Sequence, residues 1–318
     1  MRILLAILLA TLAAGAAAQS AYPDRTVTLV VPFTSGSGAD IISRLIGPRL
    51  SERWKQPVVV DNKPGASGNI GAEAVARAAP NGYTLLVTID TLTMAPNLYK
   101  KQPFDPAVDF APVTKMAVAN LWMVANPSLP ANDLAGLIAL AKAQPGKINY
   151  ASPGNGTPHH LSMELVKLQT GADLTHVPYK GISGAITDLV GGQVQVMIAS
   201  VHSTLPLVQA GKLKLLGVTG ARSPLAPDVP SFRQQGMAFL EGINSWFAIF
   251  APARTSPDVV TRLHQDVGAV LAMPEVRAQL AAQGLVVQTS SPEELGALVR
   301  SDLARWRKVI SEAKITAD

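Results

Sequence analysis

Apolar and polar positions along this 318-residue chain alternate between two periods, and the alternation predicts strands feeding helices. Thr26 to Val31 is a short apolar run of strand length, followed by Pro32 and then Phe33, Thr34, Ser35, Gly36, Ser37, Gly38, Ala39 and Asp40. Beyond that turn, Ile41, Ile42, Leu45, Ile46 and Leu50 recur at helical spacing, with Trp54 extending the face and Pro48 expected to kink it. Val58 to Val60 predicts a buried strand, Ile70 to Ala78 a helix and Thr84 to Ile89 a strand. The middle repeats the scheme: strand Leu121 to Ala125, helix Leu134 to Ala143, and strand Ile148 to Ala151. A second glycine-rich turn follows, Ser152, Pro153, Gly154, Asn155, Gly156, Thr157 and Pro158, then a helix to Gln169. Strand Leu174 to Val177, helix Ile182 to Val190 and strands Val194 to Ile198 and Leu213 to Val218 complete that part. The tail reads as strand Trp246 to Phe250, helix Pro257 to Leu271 and helix Pro292 to Ala313. Such alternation implies an α/β fold with parallel pairing and helices on both faces of the sheet.

Each of the two elbows joins a strand end to a helix start. Free backbone N–H groups and the positive end of a helix dipole then face whatever lies beyond the strands. One such elbow is as well explained by glycine easing a tight turn; two, about a domain apart, point to a cleft gripping a small anion from both sides. Asp40 is read as the helix N-cap. Tyr179 and Trp246 fit a packed core as well as a cleft wall. Neither elbow holds an arginine, so recognition is expected from amides, hydroxyls and bridging waters.

Composition narrows the classes. Residues 1–21 combine Arg2, an apolar stretch from Ile3 to Ala10 and the small residues Ala16 to Ala18, which is the pattern of an export signal. Without it the formal charge falls from +5 to about +4, with Lys and Arg scattered, so nucleic acid is excluded as a partner. There is no cysteine, hence no disulfide and no thiolate metal site. Ser152 and Ser200 lie near His159, His160 and His202 in sequence, but no Gly-x-Ser-x-Gly elbow is present. His159 and His160 point about 100° apart on a helix, unsuited to one ion, and are read as surface or capping residues. Gly36-Ser37-Gly38 lacks the third glycine of a dinucleotide fingerprint. The expectation is a binding protein with no cofactor, no metal and no catalytic residue.

Val58 to Gly71 (VVVDNKPGASGNIG) and Ala76 to Leu86 (ARAAPNGYTLL) resemble the Bug receptors, the extracytoplasmic solute-binding proteins of tripartite tricarboxylate transporters. Tyr22 to Arg25, the Val-Pro-Phe elbow, Asp40, Tyr150 to Gly156, Val177 to Gly181, Gly191 to Val194 and Ala251-Pro252 match as well, so the similarity spans the mature chain. The resemblance implies a two-lobed fold of the type II periplasmic-binding-protein class. Residues 22–125 and 245–318 would form one lobe, and 126–244 the other. It also implies a small organic acid as ligand, met by Phe33 to Asp40, by Thr88, Ile89 and Asp90, by Ser152 to Thr157, by Tyr179, Lys180 and Gly181, and by the loop at Ser200. The implied partner is a membrane permease, with the receptor a monomer in the periplasm; a sensor subunit of the same fold is the alternative. The first elbow departs from the family's Pro-Phe-x-Pro-Gly-Gly, exchanging a proline for the hydroxyls of Thr34, Ser35 and Ser37.

Overall fold

The computed structural model describes residues 22–98, 102–219, 225–240, 244–312 and 315; the export signal read at 1–21 lies outside them. In chain order the elements are β1 (Val27–Val31), α1 (Gly38–Trp54), β2 (Val58–Asn62), α2 (Asn69–Ala76), β3 (Thr84–Ile89) and α3 (Thr91–Met94). Next come β4 (Phe110–Ala125), α4 (Leu134–Ala143), β5 (Asn149–Ser152), α5 (Pro158–Thr170), β6 (Thr175–Pro178) and α6 (Ile182–Val190). The chain continues through β7 (Val196–Ser200), α7 (Val201–Gln209), β8 (Lys214–Val218) and β9 (Asn244–Pro252). It closes with α8 (Pro257–Leu271), α9 (Pro274–Ala282), β10 (Leu285–Val287) and α10 (Pro292–Glu312).

The strands form one hydrogen-bonded path, β2-β1-β3-β9-β4-β7-β5-β6, with β8 and β10 also on β4. The sheet is mixed: β1 pairs parallel with β2 and β3, and β5 with β6 and β7, whereas every pairing of β4 and β9 is antiparallel. β4 changes partners midway. Phe110 to Asn120 pair with β9, and Leu121 to Ala125 with β7. The result is a two-lobed α/β molecule in which one 16-residue strand serves both halves.

Period-two alternation builds a core on each face. Val27, Leu29 and Val31 of β1 pack with Ile42, Ile46 and Leu50 of α1 and with Leu263 and Val267 of α8, while Val30 faces Val75, Leu295 and Val299 on the other side. In the far half of β4, Leu121 and Met123 join Leu137 of α4 and Met163 of α5; Trp122 and Val124 join Ala185 and Leu189 of α6. In the first half both faces draw helices from the two ends of the chain, α1 and α8 on one and α2 and α10 on the other.

Two expectations are corrected, the start of the first long helix and the placement of His159 and His160. The first long helix begins at Gly38 rather than near Ile41, because Ser37 is its N-cap: the Ser37 hydroxyl accepts from the Asp40 amide at 3.4 Å. Asp40 sits three residues inside, where its carboxylate accepts from the Gly36 amide at 2.9 Å and reciprocates the cap. Pro48, the expected place of a kink, lies exposed within this helix, which runs on to Trp54. His159 and His160 are not surface residues: both are buried in the first turn of α5.

Candidate functional site

Both elbows line one cavity of about 560 Å³. The first presents Phe33, Thr34, Ser37, Gly38 and Ala39; the second presents Pro153, Gly154, Asn155 and Thr157. Ile89, Tyr179, Lys180, Gly181 and Ser200 complete the set that sequence reading and structure share. Tyr179 is therefore a wall residue, its hydroxyl donating to Asp188 at 2.6 Å, whereas Trp246 is packed in the core with its Nε1–H on Asp302.

The other expected residues stand behind this wall. Ser35 and Gly36 bond the Asp40 carboxylate, which is also held by Arg44 Nε at 2.9 Å and by Asn62 Nδ2 at 3.0 Å. Burial opposes the Asp40 charge, but these bonds from Arg44, Gly36 and Asn62 keep its carboxyl below the ordinary range. Thr88 is buried in β3. Asp90, fully enclosed, is raised well above the usual carboxylate value by burial and by the Asp302 charge, and it lies 3.1 Å from the hydroxyl of Ser245, a wall residue. Ser152 is buried, with its hydroxyl 2.7 Å from His176 Nε2 and accepting from the Gly154 amide at 3.2 Å. Gly156 (φ +72°) donates to His160 Nδ1 at 3.1 Å and presses against Leu98, where any Cβ would lie 1.8 Å from Cδ1.

The second elbow is built like the first. Thr157 is the N-cap of α5, its hydroxyl accepting from the His160 amide, and Pro158 occupies the first helical position where no N–H is needed. The N-termini of α1 and α5 therefore converge from opposite halves. No carboxylate lines the cavity among the described residues, and the charged side chain on its wall is Lys180, exposed at the rim. Amide dipoles and one ammonium make the enclosure favourable to a negative group. No group of three or more metal-ligating side chains occurs among the described residues.

Sequence reasoning missed Pro32, the loop Pro64 to Gly68, His159, Pro178, Ile182, His202, Ser245 and Phe247 on this wall. The Pro64 to Gly68 loop is a third strand-to-helix elbow, joining β2 to α2, and its Lys-Pro-Gly-Ala-Ser-Gly string was legible as one. Gly65, Ala66, Ser67 and Gly68 all have positive φ. There Ser67 Oγ donates across the cleft to the Asn155 carbonyl at 2.7 Å, and Gly181 abuts Thr34, so the two edges meet. Ser245 and Phe247 reach the cavity only through the pairing of β9 with β3 and β4, which no local pattern reveals.

The chain resembles several characterised proteins over its length. Protein BugT of Bordetella pertussis is 34% identical, covering 92% of this chain and 90% of that protein. A Rhodopseudomonas palustris protein solved with adipate is 37% identical with a TM-score of 0.88, covering 93% of this chain and 99% of that one. The periplasmic binding protein BugD is 32% identical with a TM-score of 0.87, at the same coverages of 93% and 99%. MatC of Rhodopseudomonas palustris, solved with malate, is 32% identical with a TM-score of 0.85, covering 91% and 100%. Residues 42–315 match the profile of the tripartite tricarboxylate transporter family receptor. This chain belongs to that receptor family, whose members bind solutes and are not enzymes.

Proposed function

We propose that this protein is a periplasmic receptor that captures a small organic carboxylate between its lobes, 22–125 with 245–318 and 126–244, and delivers it to the membrane permease of a tripartite transporter. The observation that carries the reading is the convergence of the α1 and α5 N-termini, from opposite halves, on a cavity that no carboxylate lines among the described residues. Ligand contacts are assigned to Phe33, Thr34, Ser37, Gly38, Ala39, Ile89, Pro153 to Asn155, Thr157, Tyr179 to Gly181 and Ser200. Ser35, Gly36, Asp40, Thr88, Asp90, Ser152 and Gly156 brace them from behind.

The adipate and malate found in relatives support an acid as the ligand class. The magnitudes agree. Charge-assisted hydrogen bonds contribute about 1.5–3 kcal/mol each, and a helix terminus about 0.3–1 kcal/mol. Three or four such donors reach the roughly 8 kcal/mol of a micromolar complex. Closure of the lobes around the ligand then presents one shape to the permease. The export pattern at 1–21 agrees with a periplasmic receptor, and no helix among the described residues is long and apolar enough to cross a membrane. Isothermal titration against mono-, di- and tricarboxylates and aromatic acids tests the reading. At least one acid is expected to bind at micromolar affinity and raise the melting temperature; binding of none refutes it.

A further inference from the structure

Another helix start reaches the cavity from the turn between β7 and α7. Ser200 occupies the N-cap position of α7, as Ser37 and Thr157 do for α1 and α5. The second residues of α5 and α7 are both histidine, His159 and His202, and both line the cavity. His159 is 6% exposed; its Nε2 lies 3.1 Å from Ser200 Oγ and its Nδ1 is buried without a partner among the described residues. His202 Nδ1 is likewise buried and unpaired, and its ring makes no hydrogen bond among the described residues.

The His202 ring is held in place by shape alone. Any Cβ on Gly38 would stand 2.9 Å from its Cε1 and 2.6 Å from Phe247 Cζ, and Phe247 meets the imidazole edge-on at 6.4 Å. An imidazole whose Nδ1 is buried without a partner among the described residues is costly for a purely structural residue, since an apolar ring would pack there without that penalty. The second position of a helix also places each ring where the dipole opposes a positive charge until an anion arrives.

We propose that His202, with His159 beside it across Ser200, contacts the carboxylate of the ligand and takes up one proton from solvent as that ligand binds. This rests on the acid-receptor reading above and adds which side chains recognise the acid and how. Without ligand both rings are neutral: burial lowers His159 to about 3, an effect that a proton on His202 would add to, and burial lowers His202 to about 4. A carboxylate alongside reverses the balance and favours the imidazolium. A proton on one ring opposes a second on the other, so the pair takes one.

The surrounding charges leave that role open. Asp40 of α1 is engaged by Arg44 and Asn62. Asp90, beyond Ser245 of β9, has its carboxyl raised well above the usual value by burial and by the charge of Asp302 of α10, which in turn accepts from Trp246. His160 of α5 is bonded to the Gly156 amide, and Lys180 stands exposed at the rim. Among the described residues no carboxylate on the wall competes for the proton.

The sign follows from linkage: affinity rises as pH falls through the ligand-bound value of the pair and levels off above it. The test is isothermal titration of the acid giving the largest thermal shift in the panel, at pH 6, 7 and 8, in buffers of contrasting ionisation enthalpy. A buffer-dependent heat is expected, with affinity about fivefold or more tighter at pH 6 than at pH 8. The double variant His159→Asn/His202→Gln should lose both the buffer dependence and the pH slope, which a merely structural role would not move. Acid binding with buffer-independent heat in the wild-type protein overturns this inference alone and needs no variant to fold. A double variant that keeps the slope also overturns it. Failure of every acid to bind overturns the receptor reading and this inference together.

Discussion

Replacing Ser67 with alanine removes one bond that exists only where the two edges of the cleft meet. Ser67 Oγ donates to the Asn155 carbonyl at 2.7 Å, between the β2–α2 loop and the second elbow. A neutral hydrogen bond of this kind is worth about 0.5–1.5 kcal/mol net, since both groups find water when separated. If the lobes part to release the acid, this bond breaks with them, and all of that value falls on the closed, ligand-holding form. The dissociation constant of the bound acid should therefore weaken about 2- to 13-fold, chiefly through faster release. Alanine tolerates the φ of +54° at this position about as well as serine, so backbone strain does not confuse the comparison. Isothermal titration gives the constant, and stopped-flow tryptophan fluorescence gives the release rate. The unliganded protein should melt at the wild-type temperature. An unchanged constant, or an equal loss of stability with and without ligand, would refute the reasoning.

Three further outcomes are expected. Gly156→Val combines a positive φ with a Cβ placed 1.8 Å from Leu98 Cδ1, and urea unfolding should show a loss of about 2–4 kcal/mol; a loss under 1 kcal/mol counts against the close contact. Asp266→Ala strips the buried Trp54 Nε1–H of its 2.7 Å acceptor and frees Arg53 and Arg262, for a cost of about 2–4 kcal/mol. Burial opposes the charge of Asp266, but its bonds to Arg262, Arg53 and Trp54 hold its carboxyl low, so this contribution is present above the ordinary carboxylate range and is lost as pH falls through the depressed folded value. His159, His160, His176 and His202 are all pushed down, chiefly by burial, to about 3 or about 4. Stability of the unliganded protein should be full above the ordinary histidine value near 6.5 and fall below it, by about 1.4 kcal/mol per pH unit for each ring; identical denaturation midpoints at pH 7 and pH 5 would contradict their burial.

Legibility followed the range of the forces involved. The elbows at Gly36 and Gly154 stood out because strand, glycine turn, N-cap and helix are neighbours in the chain, and each is set by local stereochemistry. The errors at α1 were local too: Ser37 and Asp40 form a reciprocal cap, and sequence alone ranks either residue as the start. Phe110 to Asn120 was missed as strand because its burial alternates imperfectly around the register shifts near Val113 and Met116. α9 was missed because Val276 and Leu280 alone of its nine residues are buried, and β10 because three residues give too little periodicity to register. On the wall, Ser245 and Phe247 arrive through pairing with strands more than 100 residues away, and His202 through β7, which ends two residues later than its apolar run suggested.

The 16-residue strand β4 passes from one half of the sheet to the other without a break in its pairing. A swing of one lobe against the other must then be absorbed as torsion of this ribbon and not as free play in a tether. The irregular steps in its ladder, near Val113, Met116 and Met123, are the natural places for that torsion to collect. A jaw hinged on such a ribbon would work as a torsion spring, with the small energies at the cleft edge acting against its restoring twist.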